Sequence, residues 1–271
     1  MADYSALRRK KLFLFDLDGT LYLGDTLFPG AKELLACIRA RGGQYRFLTN
    51  NSSRSVTAYV EKLARLGVAA KASDFLTSVD ALISYLCTQG GEDRRYYVCG
   101  TESMKSQLRA AGIALADGRD DANALLMGFD TELTFQKLED ACILLGQNVP
   151  YIATNPDWVC PTWYGFVPDC GSVCRMLTTA TGREPTFIGK PQPEMARLMP
   201  QLAMLESGIS AQETLLIGDR IYTDIASGAN ALIDTLLVLS GETKEEDLPD
   251  ARPQPSFVLP DVAALLRILE A

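Results

Sequence analysis

Leu12-Phe13-Leu14-Phe15-Asp16-Leu17-Asp18-Gly19-Thr20 is an apolar run that stops at two carboxylates and a glycine. Polar and basic residues precede it. Four apolar residues bounded in this way predict a buried strand that ends in a loop. Residues 30–41 follow, with Leu34, Leu35 and Ile38 at helical spacing and a stop at Gly42-Gly43. Residues 45–48 read as a second strand ending at Thr49-Asn50-Asn51, and residues 55–66 as a helix closed by Gly67. Alternating strands and helices predict a parallel α/β sheet.

The same unit recurs along the chain. Strands are expected at 96–99, 124–127 and 151–153, with helices near 102–111 and 135–145. Near the end come a strand at 214–217, a helix near 223–229 and a strand at 235–239. Residues 242–255 are charged and Pro-bearing and read as a surface loop, and 261–269 read as a last helix.

Composition narrows the chemistry. The 271 residues, 47% hydrophobic and 22% charged, are those of an ordinary globular protein of one or two domains. No apolar run approaches the roughly 20 residues of a membrane helix. The start lacks a signal-peptide core, so a cytoplasmic location is expected. The net charge of −8 argues against nucleic-acid and membrane-surface partners. Histidine is absent, which excludes Ser-His-Asp, Cys-His and His-ligated zinc hydrolysis. Seven cysteines are scattered, and the Cys170/Cys174 pair has no second pair to complete a zinc site.

Four polar clusters end predicted strands, where ligands bind in open α/β sheets. In the first, Asp16 and Asp18 flank one residue. Close carboxylates repel unless a cation or a shared proton intervenes, and oxygen ligands of this kind suit magnesium. One aspartate can act as nucleophile and the other as general acid and base. In the second, Thr49, Asn50 and Asn51 offer a hydroxyl, amides and backbone N–H groups to phosphate oxygens. In the third, Lys190 lies between Gly189 and Pro191 after a strand expected at 186–188, as a point cation for phosphate. The fourth is Gly218-Asp219-Arg220-Ile221-Tyr222-Thr223-Asp224, with two more carboxylates that could also cap a helix.

In this order the clusters resemble the four motifs of the haloacid dehalogenase superfamily. Asp16–Asp25 with Pro29-Gly30-Ala31, the stretch Thr154-Asn155-Pro156-Asp157-Trp158-Val159-Cys160-Pro161 and Val238-Leu239-Ser240-Gly241 narrow the resemblance to its class IIA phosphatases. The resemblance covers nearly the whole chain. It implies a doubly wound α/β parallel-sheet core of residues 1–81 and 185–271 and an inserted smaller α/β cap of residues 82–184. It also implies a magnesium-dependent phosphatase of small phosphorylated metabolites. Asp16 would attack phosphorus and become the aspartyl phosphate, and Asp18 would protonate the leaving oxygen and then activate water. Thr49 and Lys190 would hold phosphoryl oxygens. Mg2+ would be bound by Asp16, the backbone carbonyl of Asp18 and Asp219, with Asp224 supporting.

In the cap, the resemblance directs Asn155 and Asp157 toward the site, where they would shape leaving-group recognition or simply stabilise a loop. Trp158, Trp163, Tyr164 and Phe166 could stack on a leaving group, but packing within the cap or a homodimer contact through it is the preferred reading. Two rival functions use the same fold: a phosphotransferase or phosphomutase sharing the intermediate, and a non-enzymatic sensor of phosphorylated metabolites. A sensor has no need of the nucleophile.

Overall fold

The computed structural model describes residues 4–89, 93–192 and 208–271. The parts of the expected core and cap that fall on 1–3, 90–92 and 193–207 lie outside the described residues. Strand β1 (Leu12–Phe15) is buried along its length. Its side chains alternate, Phe13 and Phe15 into one apolar cluster and Leu12 and Leu14 into another on the opposite face. Burial on both faces is why the run has no polar position.

β1 shares a sheet with β4 (Gln44–Thr49), β5 (Phe75–Thr77), β12 (Thr214–Gly218), β13 (Asp234–Val238) and β14 (Phe257–Leu259). The order is β14-β13-β12-β1-β4-β5, all parallel. Helices α1 (Ala31–Ala40), α2 (Val56–Arg65) and α8 (Val262–Glu270) supply Leu34, Ile38, Tyr59, Leu63 and Leu265 to the Phe13/Phe15 cluster. Each such side chain, fully buried, contributes about 1.5–3 kcal/mol. Ser55 starts α2 by accepting a hydrogen bond from the Ala58 N–H at 3.2 Å. At Gly30, in the left-handed region, an added Cβ would lie 2.9 Å from that of Ala263, so glycine lets α1 and α8 approach.

A second parallel sheet contains β6 (Tyr96–Cys99), β7 (Ala124–Met127), β8 (Tyr151–Ala153) and β11 (Thr186–Phe187), in the order β11-β8-β7-β6. Alternation again serves two faces. Leu125 and Met127 meet Ala141 and Leu144 of α5 (Phe135–Gly146) and Cys174 of α6 (Cys170–Thr181). Ala124 and Leu126 join Met104 and Leu108 of α4 (Glu102–Ala110), Leu82 and Leu86 of α3 (Ser78–Gln89), and Leu12 and Leu14 of the first sheet. The two sheets therefore share one apolar cluster. Two short hairpins complete the described architecture: β2 (Tyr22–Leu23) with β3 (Thr26–Leu27), and β9 (Val159–Thr162) with β10 (Gly165–Pro168).

The fold is the expected α/β core with a smaller α/β cap, with differences in detail. Helix α3 crosses the expected boundary at residue 82. Thr186–Phe187, expected in the core, pairs with β8 in the second sheet. The helix expected near 223–229 opens as a π-turn, Ile221–Ile225, before α7 (Ala226–Asn230). No helix among the described residues is long and apolar enough to cross a membrane.

Candidate active site

β12, β1 and β4 are neighbours, so their carboxyl ends lie side by side and carry Asp219, Asp16 and Thr49. Lys190 arrives from the end of β11 in the other sheet. Its ammonium lies 2.7 Å from Asp16 Oδ1 and 2.6 Å from Asp224 Oδ1. It is buried, which works against its charge, but Asp16 and Asp224 more than offset this and hold its pKa above the ordinary value. Burial raises Asp16 well above the usual carboxylate range; Lys190 opposes this, while Asp224 and Asp219 add to it. Asp219 is likewise pushed up to about 7 by burial, with Arg220 opposing.

Carboxylate oxygens of Asp16, Asp219 and Asp224 lie within 4.8 Å of one another. Asp219 Oδ2 accepts from the Glu242 N–H at 2.7 Å, while its buried Oδ1 has no hydrogen-bond partner. Three carboxylates face one ammonium here, and an orphaned buried oxygen is costly. A hard divalent cation would relieve both problems, so these residues fit magnesium. Glycines press against them. A Cβ on Gly241 would lie 1.9 Å and one on Gly19 2.5 Å from Asp219 Oδ2, and one on Gly218 2.3 Å from Asp224 Cβ. The π-turn brings Asp224 back over the strand end, where its Oδ2 accepts from the Arg220 N–H at 3.2 Å.

Asp18 stands apart from this carboxylate set. The Tyr22 hydroxyl donates to its Oδ2 at 3.3 Å and the Lys62 ammonium lies 3.8 Å from its Oδ1. Lys62 also sits 3.7 Å from the centre of the Tyr22 ring. Burial raises the Asp18 pKa, opposed first by Lys62. A carboxyl set in this way can carry and return a proton. Tyr22 and Lys62 had no expected role; a tyrosine four residues past Asp18 in an apolar turn was the available signal.

Thr49 is buried at the end of β4 and its hydroxyl accepts from the Asn51 N–H at 3.1 Å. Asn51 Oδ1 accepts from Ser53 N–H and hydroxyl at 3.0 and 2.7 Å. The Asn50 side chain is spent on tying elements together. It donates to Asp157 Oδ2 at 2.6 Å and Lys190 O at 3.0 Å, and accepts from the Lys190 N–H at 2.9 Å. Asn155 is fully buried beneath the site, donating to Asp157 at 2.8 Å and to Asp169 at 2.9 Å. Asp169 caps α6 and is pushed up to about 7 by burial and by Asp157.

Sequence reasoning missed Arg220. Its guanidinium pairs with Asp157 Oδ1, reaches Glu242 Oε2 at 2.8 Å and donates to Val159 O at 3.2 Å. It clasps the cap to the loop that carries the metal-site carboxylates. A cavity of about 20 Å³ lies between, lined in part by Asp16, Asp18, Thr49, Asp157 and Arg220. Of the two alternatives expected for the cap aromatics, packing within the cap does not hold for Trp163, 82% exposed, and Tyr164, 64%, whose rings meet edge to face.

A half-buried aspartate beside a buried lysine, next to carboxylates fit for a divalent cation, is a site whose chemistry suits phosphoryl transfer. Comparison with known proteins agrees. A family model described as Haloacid dehalogenase-like hydrolase matches residues 13–114, and a second HAD-like model matches residues 187–265. The 5'-nucleotidase YutF of Bacillus subtilis is 34% identical over 253 residues, 93% of this chain and 96% of that protein. The structure of a 4-nitrophenylphosphatase from Thermotoga maritima superposes with a TM-score of 0.87 at 35% identity, covering 98% of this chain and 100% of that one. A glycerol phosphate phosphatase from Mycobacterium tuberculosis, in complex with magnesium, superposes at 0.86 and 29% identity over 99% of this chain and 80% of that one. The chain belongs to the haloacid dehalogenase-like hydrolase family and is a phosphoric monoester hydrolase.

Proposed function

We propose that this chain is a magnesium-dependent phosphatase of small phosphorylated metabolites, working through a phospho-aspartyl intermediate on Asp16. The observation that carries this reading is Asp16 Oδ1 held 2.7 Å from the buried Lys190 ammonium, with Asp219 Oδ1 orphaned beside it. A carboxylate oxygen of Asp16 attacks phosphorus, and its new bond to phosphorus forms as the bond from phosphorus to the ester oxygen breaks, that oxygen leaving with the proton of Asp18. Asp18 then takes a proton from the water that attacks phosphorus, freeing phosphate and restoring Asp16. Lys190, Thr49 and the backbone N–H groups that follow it neutralise and orient the phosphoryl oxygens. When bound, magnesium supplies further charge neutralisation, and Asp16, Asp219 and the backbone carbonyl of Asp18 would hold it, with Asp224 beside them. The breadth of relatives, one named for nucleotides and another for glycerol phosphate, supports small phosphate monoesters as substrates. A cytoplasmic setting is supported by seven cysteines that form no disulfide among the described residues.

The test is phosphate release from p-nitrophenyl phosphate. Chelation is expected to lower it about a hundredfold or more and added magnesium to restore it. Release indifferent to chelation would overturn the metal requirement.

Asp18→Asn separates the two proton roles. An alkyl phosphate needs its leaving oxygen protonated, whereas p-nitrophenolate hardly does. The variant is expected to lose about tenfold more kcat on glycerol 3-phosphate than on p-nitrophenyl phosphate. Equal losses would remove Asp18 as the acid.

A further inference from the structure

A cavity of about 380 Å³ opens beside Asp18. The core lines it with Asp18, Asn51, Arg54 and Lys62, and the cap hairpin closes it with Trp163 and Tyr164. Its two cations differ. Lys62 is buried and committed to Asp18 and the Tyr22 ring. Arg54 is exposed to the cavity and carries no ion pair or hydrogen bond among the described residues. It precedes Ser55, the N-cap of α2, so the partial positive charge of the helix start lies on the same side. The carboxylates on this wall are Asp18 and the exposed Asp25. With Lys62 paired to Asp18, Arg54 is the cation on this wall that has no ion-pair partner among the described residues.

Resting on the phosphatase reading, we propose that the cavity selects phosphate monoesters whose alcohol portion bears a second anionic group, held by the Arg54 guanidinium. A guanidinium grips a carboxylate or a phosphate through two parallel N–H donors, which a lysine cannot do. Trp163 and Tyr164 cover the carbon skeleton between the two anions and keep water from weakening the pair.

Two matched pairs of esters test this. One is 3-phosphoglycerate against glycerol 3-phosphate, which differ by a carboxylate. The other is fructose 1,6-bisphosphate against fructose 6-phosphate, which differ by a phosphate. Wild type is expected to favour the doubly anionic member of at least one pair in kcat/KM, and the pair favoured identifies the anion. Arg54→Gln is expected to lower that preference about tenfold or more, with Arg54→Lys recovering part of it. A wild type that favours neither doubly anionic ester overturns the proposal. So does an Arg54→Gln variant that lowers both members of a pair by one factor. Release of no phosphate from any of the four esters or from p-nitrophenyl phosphate overturns the phosphatase reading itself, a different result from loss of preference.

Discussion

Asp16→Asn is expected to bring turnover below about a thousandth of wild type, a loss of ~4 kcal/mol in transition-state stabilisation. The amide has the shape of the carboxylate and can still accept from the Lys190 ammonium, which stands 2.7 Å from Asp16 Oδ1. It cannot attack phosphorus. The fold should not suffer. Asp16 shares its surroundings with Asp219 and Asp224, and both raise its pKa, so each ionised carboxylate there disfavours the others. Without metal the variant should melt no lower than wild type, because relief of that repulsion offsets the weakened pair with Lys190, which keeps Asp224 at 2.6 Å. The measurements are phosphate release on the purified variant and a thermal melt with chelator present. Activity above about a tenth of wild type, a difference of only ~1.4 kcal/mol, would take the nucleophile away from Asp16.

Arg220→Ala should be the most destabilising single change at the site. Arg220 meets the carboxylates of Asp157 and Glu242, whose side chains are 2% and 24% exposed. Removing one partner of a buried pair strands the other, at a cost of about 3–5 kcal/mol. Asp157→Asn should cost less, because its amide oxygen can still accept from Asn50 and Asn155, which stand 2.6 and 2.8 Å from Asp157 Oδ2. The double variant should lose clearly less than the sum, since the stranded carboxylate is gone. Denaturant melts of the four proteins check this, and additive losses would show that the clasp is not a pair. The kinetic signature is equally specific. Asp157 and Arg220 line the small cavity over Asp16 and not the large one beside Arg54. Asp157→Ala should therefore scale kcat/KM for different esters by one common factor. An uneven response would return Asp157 to leaving-group recognition, the role its place after β8 suggested.

The separation between what was legible in the chain and what was not follows physical range. β1, β7 and the 215–217 stretch of β12 were readable because a strand covered on both faces must be an unbroken apolar run, and β4, β6, β8 and β13 because shorter apolar stretches within them end at turn or polar residues. Asp16, Thr49, Lys190 and Asp219 were readable because each interrupts or follows such a run with a residue type that phosphoryl transfer needs. Helix α3 was legible in principle, with Val79, Leu82 and Leu86 at helical spacing, but no turn signal separates it from β5. The short hairpins β2–β3 and β9–β10 offered two or four residues per strand, too few for a period to register.

By itself, then, the sequence determined most of the alternation of strands and helices, the strand ends on which the polar clusters fall, and the candidate residues for the chemistry. Tertiary structure alone decided how those ends converge. Lys190 reaches Asp16 across 174 positions from a strand of the other sheet, and the Asn50 side chain spans 107 to meet Asp157. It also decided that Asp157 and Asn155 brace the site, that Arg220 clasps cap to core, and that Arg54 is left facing a cavity. These outcomes rest on contacts between residues whose neighbours in sequence carry no trace of the partner. Periodicity reports which face of an element is buried, and only the packing of elements against one another reports what that face meets.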